Sequence, residues 1–365
     1  MTACAAPGGG RLIDLRSDVV TPPTDEMWEA MRRARPGLAL GGDDPLVREL
    51  VALGASLLGK ETGLFVPTCS MANLLALAAT AEPGDQVIFE STAHMVWSEG
   101  WSIAHPAGVF PRLLDGIRGI PDPAALEEAI GTPRFGRMPR TALVCLENSH
   151  NNAGGTVATP EQTASVAEIA HRYGAALHLD GARLFNAAAS LGVAVERLAA
   201  PADTVSVSLN KGLSAPEGAL LSGPSVVIDR ARRWAHRLGA ASIHKAGIAA
   251  AAGIVALTTM VGRLKDDNRR AVRLAARLVC VPGLFVDLAT VQTNIVNVEL
   301  RAGAADALVA RAAERGVLAL ARSAHHVRFV THRLIEDADV ESAGSIVARA
   351  AAGGRADREA VDAER

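Results

Sequence analysis

Along the first 223 residues, apolar runs of strand length alternate with segments whose apolar positions recur at helical spacing. Thr24-Asp25-Glu26-Met27-Trp28 opens a helix, with Thr24 placed to cap it and two acids in the first turn. A second helix is predicted after Pro45, and 63–66 reads as a short strand leading into a helix that starts near Met71. The same rhythm of strand, tight turn and helix repeats, with strands at 86–90, 141–146, 175–180, 204–209 and 218–222. This alternation predicts an α/β fold, a mainly parallel sheet covered by helices on both faces. Ligands bind such sheets beyond the carboxyl ends of strands. Asp180, Glu147 to His150, and Lys211 fall there.

Beyond Gly223 the pattern changes to long helices through about residue 279, then strands at 293–300 and 327–331 and helices at 304–315 and 339–351. The expected organisation is a disordered segment 1–10, a large domain 11–262, a small C-terminal α+β domain 263–352 and a flexible charged tail 353–365. The stretch 246–261 is almost wholly apolar and rich in alanine and glycine. It is shorter than the roughly 20 residues a bilayer requires, and Lys245 and Arg263 bracket it, so it reads as a buried helix and no membrane association is expected.

Composition narrows the class. With 365 residues, 49% of them apolar, and a net charge of −2, the chain can bury a large core and a smaller second one, and it has no electrostatic reason to seek nucleic acid. Cys4, Cys69, Cys145 and Cys280 form no CxxC pair, which argues against a disulfide framework or zinc ribbon, and no metal is expected. The start lacks the basic and apolar regions of a signal peptide, so the cytoplasm is the expected compartment. Phosphate-loop, HExxH, GxSxG and strand-linked GxGxxG motifs do not occur.

The informative chemistry lies between residues 175 and 213. One apolar run ends in His178-Leu179-Asp180-Gly181-Ala182-Arg183, and the next leads to Ser208-Leu209-Asn210-Lys211-Gly212. An acid at the end of one strand and a lysine just past its neighbour are what pyridoxal 5'-phosphate (PLP) needs: the acid keeps the pyridine nitrogen protonated and the lysine amine holds the aldehyde as a Schiff base. Asp180 is also placed to cap the turn that follows, a common task for aspartate. Arg183 and Arg328 are candidates for a substrate carboxylate, which a planar guanidinium can grip with two parallel hydrogen bonds.

Four segments carry a resemblance. Ile13-Asp14-Leu15-Arg16-Ser17-Asp18, Cys145 to Asn151 with Gly154-Gly155-Thr156, His178 to Phe185, and Lys211-Gly212-Leu213 resemble the low-specificity L-threonine aldolase family, in the same order and, with gaps, from about Leu12 to His332. The resemblance implies fold type I of the PLP enzymes and cleavage of a β-hydroxy-α-amino acid (threonine, allo-threonine or a bulkier analogue) to glycine and an aldehyde. It also implies Ser17, Arg183 and Arg328 at the substrate carboxylate, and His94 stacked over the cofactor ring. His150 then approaches the substrate hydroxyl. Either histidine, or a water between them, is a candidate for the base that removes the hydroxyl proton. Family sites borrow residues across an interface, so a homodimer or homotetramer is implied.

Three departures surround this pocket. The phosphate turn, usually Ser-Gly-Thr, is Thr68-Cys69-Ser70 here; Ser70 keeps a hydroxyl, and backbone N–H groups at the helix start can still hold phosphate, but Cys69 adds bulk. The tyrosine-containing loop before Glu-Asp-Pro is replaced by 37–45 with no tyrosine. The arginine used for the phosphate across the interface is absent, leaving His244 or Lys245, with His236 and Arg237 nearby, as substitutes. These changes leave two rivals to the aldolase: racemisation or β-elimination of a small amino acid, and a catalytically degraded protein retained for binding.

Overall fold

A computed structural model describes residues 11–37, 44–131, 139–241 and 243–363, with side chains through 353. The expected disordered segment 1–10 and most of the tyrosine-free loop lie outside the described residues. The chain divides into two compact units, Pro22–Gly262 and Met1–Thr21 with Arg263–Arg365.

The larger unit is built on a seven-stranded sheet. From edge to edge its strands are Thr62–Val66, Ala219–Gly223, Thr204–Ser208, Ala176–Asp180, Thr141–Glu147, Gln86–Glu90 and Phe110–Leu114. Only Ala219–Gly223 runs antiparallel to its neighbours, so the sheet is mainly parallel. Every residue of the strands Gln86–Glu90, Thr141–Glu147, Thr204–Ser208 and Ala219–Gly223 is buried, as expected when helices cover both faces. Fully buried side chains such as Ile88, Phe89, Leu143 and Leu146 supply the driving force, about 1.5–3 kcal/mol each.

Local sequence explains the helix starts. Thr24 accepts the Met27 N–H and opens Asp25–Arg33. Asp44 accepts from Leu46 and Val47 and opens Pro45–Leu57, with Pro45 at the first helical position where its missing N–H costs nothing. Thr68 opens Cys69–Thr80 by accepting from Met71 N–H. The apolar stretch forms the helix Ala246–Val255, in which seven of ten residues are buried. Its small side chains permit close packing: a Cβ at Gly247 would lie 2.5 Å from both carboxylate oxygens of Asp44.

The smaller unit holds a four-stranded antiparallel sheet in the order Leu284–Phe285, Ile295–Leu300, His326–Val330, Leu320–Ser323, packed with the helices Leu264–Leu278, Ala305–Ala313 and Asp337–Ala363. Residues 11–21, expected with the large domain, belong here. The strand Ile13–Asp14 pairs in parallel with Val317–Leu318, and Val330 N–H donates to Leu15 carbonyl at 2.8 Å. A two-residue strand is too short to announce its partner by periodicity. The expected tail also differs, since the last helix continues through Ala363; its alanine, arginine and glutamate are strong helix formers even without a large apolar face.

Candidate active site

The site of the larger unit lies where strands of the parallel sheet end. Asp180 closes its strand, and Gly181 turns so sharply that its N–H donates to Ser206 carbonyl at 2.8 Å, while a Cβ there would lie 2.7 Å from that oxygen. Only glycine permits this approach. The turn fixes the Asp180 carboxylate: Oδ1 accepts from Ala182 N–H at 3.2 Å, and Oδ2 accepts from Asn73 Nδ2–H at 3.0 Å.

Asn73 belongs to the helix Cys69–Thr80, one turn beyond Ser70 and on the same face. Its amide donates to Asp180 and to Glu99, 3.2 Å away, while its carbonyl accepts from Ser206 Oγ at 2.7 Å and faces His178 Nε2 at 3.1 Å. Both amide hydrogens and both lone pairs are used, and the two carboxylates dictate which way the amide points. His178 must then donate from Nε2 and accept from Thr204 at Nδ1, 2.9 Å away. Burial pushes its pKa down to about 4, so the ring is neutral.

Glu99 collects donors from three directions: Ser70 Oγ at 2.8 Å, His94 Nδ1 at 3.1 Å and the Asn73 amide. Burial works to raise its pKa, yet the hydrogen bonds from His94 and Ser70 hold it below the ordinary carboxylate value. His94 moves the opposite way, raised chiefly by its bond to Glu99 against the cost of burial. Its backbone N–H donates to Glu147 Oε2 at 2.6 Å. About a third of the His94 side chain is exposed, and Nε2 has no partner among the described residues.

Lys211 follows the strand Thr204–Ser208 in a half-buried turn closed by Ser214 N–H on the Lys211 carbonyl and Ala215 N–H on the Leu209 carbonyl, with Leu213 to Ala215 buried beneath. Its charge and that of Asp180 both reach Cys69. Burial first, then Asp180, push that thiol up to about 12 while Lys211 pulls the other way. Cys69 therefore stays a thiol, its Sγ 3.9 Å from Asp180 Oδ1 and 3.6 Å from Ser206 Oγ. The bulk that replaces glycine in this turn thus points toward the acid. Ser70 spends its one hydroxyl hydrogen on Glu99, but the N–H groups of Cys69 and Ser70 meet no acceptor among the described residues. An acid at a strand end, a lysine in a neighbouring turn and open N–H donors at a helix start form a donor set that fits PLP.

The remaining candidates are spread more widely. Arg183 is buried at the N-terminal end of the helix Leu184–Leu191, three residues from Asp180. His150 is 1% exposed beneath the turn containing Gly119; its Nε2 lies 3.0 Å from Glu90 Oε2 and its Nδ1 accepts from Ala153 N–H. Glu147 and Glu90 raise its pKa against burial. With both ring nitrogens engaged, His150 does not present an open face, contrary to the direct approach expected of it. His244 is an exposed turn residue that no hydrogen bond or ion pair among the described residues ties to this cluster. Arg237 lies over the Trp234 ring at 4.9 Å. In the smaller unit, Ser17 accepts from Val19 N–H at the start of a 3-10 turn, and buried Arg328 donates to the Arg16 carbonyl at 3.2 Å.

Neither Asn73 nor Glu99 stands out in the sequence as a site residue. The position of Asn73 one helical turn after Ser70 could have flagged it. Glu99 gave no signal, because the chain between it and His94 leaves helical conformation at Ser98.

A family model described as Beta-eliminating lyase matches residues 14–301. Low-specificity L-threonine aldolase 1 of Arabidopsis thaliana is 38% identical over 336 residues, 90% of this chain and 94% of that protein. The low specificity L-threonine aldolase of Escherichia coli (strain K12) is 36% identical over 321 residues, 88% of this chain and 94% of that protein. Among solved structures, the threonine aldolase of Leishmania major matches with a TM-score of 0.78 at 18% identity, over 93% of this chain and 99% of that one. The chain belongs to the low-specificity L-threonine aldolase family, within the β-eliminating lyases of PLP-dependent fold type I.

Proposed function

We propose that this protein cleaves a β-hydroxy-α-amino acid, such as threonine, allo-threonine or a bulkier analogue, to glycine and an aldehyde. The observation that carries the reading is the grouping of Asp180, Lys211 and a half-open His94 beyond the carboxyl ends of the parallel strands. When bound, PLP supplies an aldehyde for the substrate amine and a ring that accepts the electrons of the breaking bond. Asp180, held by Ala182 and Asn73, keeps the pyridine nitrogen protonated. Lys211 supplies the amine that holds the cofactor, and the N–H groups of Cys69 and Ser70 take the phosphate. Arg183 is the guanidinium this unit offers to the substrate carboxylate. For Ser17 and Arg328, in the other unit, that task rests on the resemblance alone.

Retro-aldol cleavage requires a base for the hydroxyl proton as the Cα–Cβ bond breaks. Of the two histidines, His94 has the available atom: Nδ1 is held by Glu99 and Nε2 is open. His150, engaged by Glu90 and Ala153, acts instead as a support for the loop behind it. A homodimer at least, a reducing cytoplasm and an amino-acid substrate complete the reading; the free thiols Cys69, Cys145 and Cys280 suit that compartment.

Borohydride reduction of the PLP-loaded protein followed by peptide mapping should find the cofactor on Lys211, and Lys211→Ala should lose it. Threonine should then yield glycine and acetaldehyde. A keto acid with ammonia would instead move β-elimination to first place, and a D-amino acid would favour racemisation.

A further inference from the structure

Glu99 is 8% exposed and five residues from His94, yet no apolar or backbone requirement puts a carboxylate there. A buried carboxylate is costly unless several donors hold it. This one has three, from two segments: Ser70 and, one turn later, Asn73 on the helix Cys69–Thr80, and His94 on a separate stretch of chain. Its one imidazole partner is the ring whose opposite nitrogen is open. The charged groups facing His94 are Glu99, Asp180 at the strand end and Glu147 on the neighbouring strand, with Lys211 beyond Cys69.

We propose that Glu99 is the positioning residue of His94, accepting its Nδ1–H so that the Nε2 lone pair is left unengaged on a part-exposed ring, and that Ser70 and Asn73 hold Glu99 to that task. The role in turnover rests on the aldolase reading; the hydrogen-bonding role does not. Three consequences follow from the geometry. The imidazole is fixed in one tautomer, as a buried carboxylate fixes a catalytic or metal-bound histidine elsewhere. Its basicity at Nε2 is raised by the adjacent anion. Finally, the Ser70 hydroxyl is committed to Glu99, which leaves backbone N–H groups as the donors for the cofactor phosphate, and neither the Gly-to-Cys nor the Thr-to-Ser change in this turn removes a donor.

Because Nδ1–H is a property of the unmodified protein, the first measurement needs no variant. The ring-nitrogen NMR shifts of His94 in cofactor-free protein should report hydrogen on Nδ1 in the neutral form; hydrogen on Nε2 would overturn the proposal. In Glu99→Gln the His94 pKa should fall by about one unit, while Glu99→Asp, which keeps the charge, should restore part of it. In loaded enzyme, Glu99→Gln should lower kcat by about tenfold or more with KM within about twofold. Added to His94→Asn, it should lower kcat by less than about twofold, since a residue acting through His94 has nothing left to act on. An unchanged His94 pKa, or losses that multiply in the double variant, would refute the role. If the unmodified enzyme releases no aldehyde, the aldolase reading fails and the NMR arm alone decides for or against Glu99.

Discussion

Replacing Asn73 by alanine should damage two properties at once, in amounts the structure allows to be worked out. The side chain makes four hydrogen bonds, two to carboxylates (Asp180 and Glu99) and two to neutral groups (Ser206 and His178). At about 2 kcal/mol for each charged bond and about 1 kcal/mol for each neutral one, the gross loss is about 6 kcal/mol. Water entering the vacated volume recovers part of that, and a net destabilisation of about 3 kcal/mol is expected. Cofactor binding should suffer separately, because Asp180 keeps only its Oδ1 contacts, from Ala182 N–H and the weak Cys69 thiol, and its Oδ2 is left unheld. A loss of about 1.4 kcal/mol there corresponds to a tenfold weaker Kd. Asn73→Asp keeps the shape but sets a third carboxylate against two others without a hydrogen to offer, and should be worse than alanine on both counts. Urea unfolding of the cofactor-free protein and fluorescence titration with PLP measure the two effects. If Asn73→Ala unfolds within about 0.5 kcal/mol of the unmodified protein and binds PLP equally well, the amide is not the hub described.

Two other perturbations test different parts of the chain. The neutral His178 pairs a folded pKa of about 4 with an ordinary unfolded value, so acidification protonates the unfolded chain first and weakens the fold. Between pH 7 and pH 5 this one ring should cost about 2 kcal/mol, and the urea midpoint of His178→Gln should fall less over that interval than that of the unmodified protein; equal falls would remove His178 from the explanation. Gly247→Ala forces a methyl onto Asp44, which both caps the helix Pro45–Leu57 and accepts the Gly247 N–H at 3.1 Å. Loss of the cap and of that bond should lower stability by about 2 kcal/mol, read as a drop in urea midpoint without change in slope.

Much of the sheet was legible because its strands are short apolar runs bounded by turns, and six were placed to within a residue at each end. The seventh, Phe110–Leu114, was missed for a physical reason: it is an edge strand, largely exposed and interrupted by Pro111, so it shows neither alternation nor a buried run. Asp180 and Lys211 stood out because their roles attach to the ends of elements that the pattern reveals. Cys69, Ser70, His94 and Arg183 were visible through the family motifs around them. Asn73 acts through an acid 107 residues away, a pairing that leaves no local trace, and Glu99 reaches His94, five residues away, across a break in helical conformation that no periodicity marks. His150 illustrates the converse: its motif was plain, but the turn that buries it is formed by residues whose apolar pattern says nothing about where they fold.

Glu147 links the loop that begins at His94 to the loop that follows its own strand. One of its carboxylate oxygens accepts the His94 N–H at 2.6 Å and the other accepts the Asn151 N–H at 2.7 Å, and Asn152 Nδ2–H adds a direct tie to the Thr92 carbonyl at 2.7 Å, so the two loops are fastened to each other at more than one point. Neither loop can swing without unfastening the other or dragging it along. In mechanical terms they form one moving part, and a change made among residues 148–155 will be transmitted to the orientation of His94 as surely as a change beside it.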